Sequence, residues 1–287
     1  MPAEALAASR NLKAAGLATL AFAFFSGSDA TVKLLAEGLA VPQIAFMVTG
    51  FAFIITLVGA TALEGPGALL PRQPGVAFLR GALLAADTLL IYYAFARLDL
   101  AEAYVLAFLT PVLVALMAVL LLGERLSRAG WLGILMGFAG VMVALRPGAQ
   151  ALNAGHAAAL ASALVFALTF ILLRRIRTGE SDAALLVVLL GVLNILALAM
   201  ILAGGGFRPV GGRELALAAL AGAALALGHL LVIRAGRSGD VSIIAPFQYS
   251  QIVWAGLYGL LLFGTPVEPQ VAIGAGIIIL SGWLVLK

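Results

Sequence analysis

Apolar runs of about 20 residues, separated by short polar turns, recur from one end of the chain to the other. Ten can be marked, at 12–35, 43–63, 76–96, 102–122, 129–145, 155–174, 183–203, 214–234, 241–263 and 270–286. At 1.5 Å rise per residue, a run of this length crosses the roughly 30 Å hydrocarbon layer of a bilayer, so each predicts a membrane helix. The turns carry helix breakers: Pro42; Pro66, Pro71 and Pro74; Pro147-Gly148; Gly204-Gly205-Gly206 with Pro209; Pro266 and Pro269. None is long enough to hold a soluble domain. The fold class expected is an all-α integral membrane protein.

A second regularity lies above the first. The stretch 98–146, two apolar runs around the charged turn Gly123-Glu124-Arg125-Leu126-Ser127-Arg128, returns at the end of the chain as 239–287. A shift of 141 residues lays Asp99 on Asp240, Gly123 on Gly264, Gly133 on Gly274 and Arg146 on Lys287 without a gap, and reaches back to Gly81 over Gly222. In a chain so rich in Ala and Leu, the shared glycines and breaks carry the inference of an internal duplication. Its halves are expected at 12–146 and 152–287. Each holds five spans, an odd number, so the second must enter the membrane from the opposite side. The expectation is ten transmembrane helices as two inverted five-helix repeats around a central cavity.

Charge sets the orientation. Of the 17 Lys and Arg, one side collects Arg10, Lys13, Arg72, Arg80, Arg125, Arg128, Arg174, Arg175, Arg177, Arg234, Arg237 and Lys287. The other has Lys33, Arg97, Arg146, Arg208 and Arg213. Basic residues near span ends favour the cytoplasm, so both termini are expected there, in a multi-pass protein of a bacterial inner membrane. With 63% hydrophobic and 10% charged residues and a mean hydropathy of +1.14, the composition excludes a soluble domain. The net charge of +4 is spread singly over helix ends, which argues against nucleic acid as a partner. No cysteine is present, and the first apolar run is followed by no signal-peptide cleavage site.

Polar groups inside the spans are few, and each costs free energy unless it faces a cavity or a partner. Asp87 lies about midway along the third span, and Thr88 beside it occupies the repeat position of His229 in the eighth. In the first span Ser28 and Asp29 precede Lys33; the four-residue spacing lets Asp29 and Lys33 pair on one face. In the ninth, Gln248, Gln251, Trp254 and Tyr258 recur at helical spacing and present amides beside rings, a surface suited to a polar head and an apolar body. Its repeat counterpart carries Tyr104, Phe108 and Thr110 before Pro111. The site expected is therefore a cavity wall of Ser28, Asp29, Asp87, Thr88, Tyr104, Phe108, His229, Gln248, Gln251 and Trp254. Tyr92 and Tyr93 are expected in an interfacial aromatic belt, Asn194 in a helix–helix contact, and His156 near the surface without a specific role. Gly133, Gly137, Gly140, Gly274 and Ser281 suit close helix packing, within one subunit or across a dimer, so a monomer or a homodimer is open. A strongly anionic solute calls for a buried Arg, which the spans do not offer.

The chain has no G-x-x-x-x-G-K-[ST] loop, no HExxH and no Ser with a nearby base, so neither ATP hydrolysis nor an intramembrane enzyme is expected, and no cofactor or metal is called for. Ten spans as five plus five, with LTPVLVALMAVLLLGERLSRAGWLGILMGFAGV in the first half and APFQYSQIVWAGLYGLLLFG in the second, resemble the EamA-type drug/metabolite transporter superfamily, and within it YddG-like exporters of aromatic and other neutral amino acids. Two positions depart from the pattern: Thr265 stands where the second-half loop usually has Glu, and no Arg lies near Val48 in the second span. The resemblance implies a carrier that exports small neutral metabolites by alternating access. Two other readings stay open: an uptake carrier for a cationic or nucleoside-like metabolite, and a membrane protein that transports nothing.

Overall fold

The computed structural model describes residues 3–123, 125–146, 151–175, 181–238 and 245–285. Glu124, Pro147, Gly148, Arg177, Gly239, Asp240 and Lys287 lie outside the described residues, as do the side chains of Arg10, Arg174, Arg175 and Arg237. The described chain is helical throughout, with no strand among the described residues: α1 (Ala3–Leu35), α2 (Val41–Glu64), α3 (Pro74–Phe95), α4 (Leu100–Ala107), α5 (Thr110–Leu122), α6 (Arg128–Leu145), α7 (Ala154–Arg175), α8 (Asp182–Ala203), α9 (Gly212–Ser238), α10 (Ser250–Phe263) and α11 (Pro269–Val285). Seven stretches among the described residues are long and apolar enough to cross a membrane, with α4 and α5 counted as one, and Ala154–Thr169 and Pro269–Leu284 are shorter apolar helices. Leu120, Leu135, Ile195, Leu220 and Leu261 are all more than half exposed, an outer surface that only lipid can cover.

Local chemistry sets the helix ends. α2, α3 and α5 each begin with a proline in the first two positions, where its missing N–H costs nothing. Ser127 and Ser181 accept from Gly130 N and Ala184 N at 3.0 Å, capping α6 and α8. Gly123 (φ 69°) and Gly264 (φ 67°) stop α5 and α10 in the left-handed region, which glycine enters without a Cβ clash. They are repeat partners.

Two spans differ from expectation. The fourth is not one helix over 102–122 but two, broken at Phe108-Leu109. Pro111 has no N–H for the Ala107 carbonyl, and the Thr110 hydroxyl donates to it at 2.7 Å instead. In the ninth, a 3₁₀ turn over Ala245–Tyr249 precedes α10. The two irregularities fall at repeat-equivalent positions, Phe108 and Tyr249, whose rings touch edge to face at 5.3 Å.

Each helix packs mainly on the other half of the chain: α1 on α9 and α10, α2 on α8 and α9, α3 on α7 and α8, α4 on α7 and α10, α5 on α7, and α6 on α11. The close contacts come in reciprocal pairs. A Cβ on Gly50 would lie 3.3 Å from Asn194 Oδ1, and one on Gly191 3.7 Å from Phe53, the same contact with the halves exchanged. Gly81 meets the backbone of Leu189, and Gly222 that of Val48, in a second exchanged pair. Between α6 and α11, a Cβ on Gly140 would lie 3.0 Å from Gly274 O, and one on Gly274 2.7 Å from Gly140 O. This small-residue seam joins helices of one chain.

Candidate functional site

The largest polar network inside the bundle is built on α1, α4 and α10. Tyr104, buried in α4, donates its hydroxyl proton to Asp29 Oδ2 of α1, receives the amide of Gln251 of α10 at 3.3 Å, and lies 3.4 Å from Ser26 Oγ. One phenol thus joins a carboxylate of the first half to an amide of the second. In a medium without water each of these groups needs a partner, and the network supplies one to each. Phe108, one turn after Tyr104, stacks tilted on it at 5.8 Å and meets Tyr249 at its other side.

A second polar pair lies between α3 and α7, where Ser162 Oγ donates to Asp87 Oδ1 at 2.5 Å. His229 of α9 stands edge to face with Phe25 of α1 at 5.0 Å. Gly228 makes that approach possible: a Cβ there would lie 2.6 Å from the Phe25 ring. Thr88 turns back to donate to Leu84 O at 2.8 Å, which spends its hydroxyl within its own helix. Among the described residues, fully buried Ser28 has no partner for its Oγ, and the buried indole Nε1 of Trp254 has none. Gln248 is half-buried in the 3₁₀ turn.

Asp29, Tyr104, Phe108 and Gln251 are therefore joined directly or through one ring. Asp87 and His229 lie in separate contacts around them. A cavity of about 110 Å³ is found elsewhere, between the start of α4 and the α10–α11 loop, where Asp99, Glu102, Gly256, Thr265, Glu268 and Val271 are among its walls. None of the residues expected to line the site touches it.

Several expectations are corrected. Lys33 does not pair with Asp29: its Nζ donates to Leu98 O, in the turn after α3, at 2.5 Å and to Phe95 O, at the last residue of α3, at 3.2 Å. Asp29 is instead held by Tyr104. Tyr92 is 3% exposed and belongs to the core, whereas Tyr93 stacks on Arg97 at 4.2 Å. His156 is not an idle surface group. It is buried, accepts from Asn153 N at 3.0 Å to cap α7, and meets Glu102 of α4 at 3.2 Å. Asn194 makes the expected helix contact, donating to Thr49 of α2 at 3.0 Å. The spans also hold a partly buried cation, Arg80, on α3.

Ser162 and Glu102 were not singled out by the sequence. Serines in Ala-rich helices carry no periodic signal, although a polar residue opposite a buried Asp is the partner it requires.

Comparison with known proteins places this architecture. The chain is 28% identical over 274 residues to the pseudopaline exporter CntI of Pseudomonas aeruginosa, covering 94% of each. It is 27% identical over 265 residues to a riboflavin transporter of Rhizobium johnstonii, covering 92% of this chain and 87% of that one. It is 26% identical over 257 residues to an S-adenosylmethionine uptake transporter of Rickettsia bellii, covering 88% and 86%. A chain of known crystal structure, 24% identical, superposes with a TM-score of 0.63 over 94% of this chain and 95% of its own, and so shares the fold. The profile of the EamA-like transporter family matches twice, at 12–146 and at 153–287, and with both halves so covered, this chain belongs to that family, within the drug/metabolite transporter superfamily.

Proposed function

We propose that this protein is a secondary carrier that exports neutral and aromatic amino acids across a bacterial inner membrane, by alternating access between two inverted halves. The observation that carries the reading is the Asp29–Tyr104–Gln251 network, which ties polar groups of both halves together inside an otherwise apolar bundle. A group of this kind is broken and remade if the halves rock about it, and a solute with an ammonium and a hydrogen-bonding end substitutes for the partners it loses. A two-fold relation between the halves is supported by the reciprocal contacts of Gly50 with Asn194 and Gly191 with Phe53, and of Gly81 with Leu189 and Gly222 with Val48, and an odd number of spans per half makes that relation an inversion. Five spans per half with the basic residues on one side put both termini in the cytoplasm. The relatives named as an exporter, a riboflavin transporter and an uptake transporter support a small-metabolite cargo of either direction.

Counterflow of radiolabelled aromatic, aliphatic, basic and acidic amino acids in proteoliposomes, with and without a pH gradient, tests this. Neutral amino acids should exchange, and excess unlabelled substrate should compete. No flux of any amino acid overturns the assignment of cargo. A second reading, uptake of a cationic metabolite, is favoured by the two carboxylates that stand inside the bundle, Asp29 against Tyr104 and Asp87 against Ser162. It requires Asp87→Asn to abolish binding of the cation outright.

A further inference from the structure

Arg80 stands in the third span as the sixth residue after the helix-starting Pro74, and basic residues near a span's end usually serve only to orient the chain. Its place on the helix is different from what that role needs. The lipid-facing stripe of α3 is marked by Phe78 and Leu79, about half exposed, and by exposed Ala82. Arg80, Leu84 and Asp87 follow one another at i, i+4 and i+7 on the opposite side, and Leu84 is 8% exposed while Asp87 bonds to α7. The cation therefore points into the bundle, on the stripe that bears the buried carboxylate. Among the described residues its buried Nε has no hydrogen-bond partner. The charged or titratable groups that act on it or that it acts on, Asp182 at the start of α8 and His229 of α9, make no ion pair with it among the described residues.

A guanidinium in a low-dielectric setting with donors left over is a receptor for an oxyanion, because its planar fork matches a carboxylate and each charge-assisted bond is about twice as strong as a neutral one. We propose that Arg80 is the docking point for the carboxylate of the transported solute, which makes the cargo class carboxylate-bearing metabolites. Seven residues separate Arg80 from Asp87, about 10 Å along the axis, more than separates the two charges of one α-amino acid. The two groups therefore act in succession on one path: Arg80 receives the carboxylate at the N-terminal end of α3, and Asp87 meets an ammonium deeper in. This inference rests on the carrier reading above, and it replaces the expectation that the spans hold no Arg for an anionic group.

The test uses the full chain, which has no cysteine of its own, purified in detergent. Val76→Cys, at a half-buried position one turn before an intact Arg80 on the same stripe, should react with a water-soluble methanethiosulfonate about tenfold faster than the lipid-facing control Phe78→Cys, and acetate, 3-phenylpropanoate and L-phenylalanine should slow the reaction while phenethylamine does not. In Arg80→Gln, affinity for 3-phenylpropanoate and L-phenylalanine should fall about tenfold and that for phenethylamine should stay within about twofold, with Arg80→Lys intermediate. Labelling no faster than at Phe78, protection by the amine as strong as by the carboxylates, or unchanged carboxylate binding in Arg80→Gln overturns the proposal. Protection by 3-phenylpropanoate, without counterflow of any amino acid by the wild type, sinks the amino-acid reading and leaves the role of Arg80 standing.

Discussion

The energetic weight of a single residue is greatest at Tyr104. Its hydroxyl is the donor that holds the Asp29 carboxylate, and it lies buried, with Asp29 partly buried, inside an apolar bundle where a lost bond is costly. Tyr104→Phe should lower stability in detergent by about 1–3 kcal/mol, read as a fall in unfolding temperature, and should impair transport more than Gln251→Leu, which removes only a 3.3 Å neutral contact. Asp29→Asn keeps an acceptor for the phenol and removes the charge, so it should be milder than Tyr104→Phe in stability. A reversed order would show that Asp29 is held by something other than Tyr104. Lys33 behaves differently from what spacing alone suggests. Four residues' separation is permissive for a pair with Asp29, but the carbonyls at and just after the end of α3 offer the ammonium a closer partner, and only the fold brings residues 62 and 65 positions away into reach. His156 and Glu102 meet for the same reason, which is why neither pairing is legible in a sequence read locally.

At the scale of elements, glycine placement decides which helices cross closely. A Cβ on Gly222 would lie 2.6 Å from Val48 O, a backbone atom of α2 that cannot move without shifting the helix. Gly222→Ala should therefore cut the yield of folded protein, seen as loss of the monodisperse peak in size-exclusion chromatography. Gly59→Ala, on α2 with nothing within 4 Å, should leave the protein unchanged or somewhat more stable, since Ala is the better helix former by about 1 kcal/mol. Equal behaviour of the two variants would show that the α2–α9 crossing is not set by Gly222. Much of this scale was legible in advance. Span positions follow from apolar length, and the α6–α11 seam from Gly137, Gly140, Gly274 and Ser281. The break in the fourth span was not, because Leu100 to Leu122, with a mean hydropathy of 2.8, reads as one span and hydropathy is blind to backbone direction. Pro111 was the signal, since a proline inside a helix frees the carbonyl four residues back, here Ala107.

For the whole molecule, the duplication and the inversion stand on different footing. Two copies follow from the repeated glycines and from the family profile matching each half. Inversion is our proposal from the odd number of spans per half, and it has a direct test. The α2–α3 connection and the α8–α9 connection are repeat counterparts, with Gly65 (φ 84°) equivalent to Gly206 (φ 95°), and exposed Gly67 and Phe207 lie beside them. In parallel repeats the two connections would lie on the same face of the membrane; in inverted ones they lie on opposite faces. Because the chain has no cysteine, Gly67→Cys and Phe207→Cys each introduce one thiol. An impermeant maleimide applied to intact cells should label Phe207→Cys, and Gly67→Cys should react only in inside-out vesicles, given basic residues on the cytoplasmic side. Labelling of both from one face would remove the inversion, and with it the argument that two exchangeable halves open one site to each side in turn. Labelling from opposite faces with the assignments swapped would keep the inversion and reverse the orientation, placing Arg80 and the start of α3 on the outer side, where the carboxylate would then dock from outside the cell.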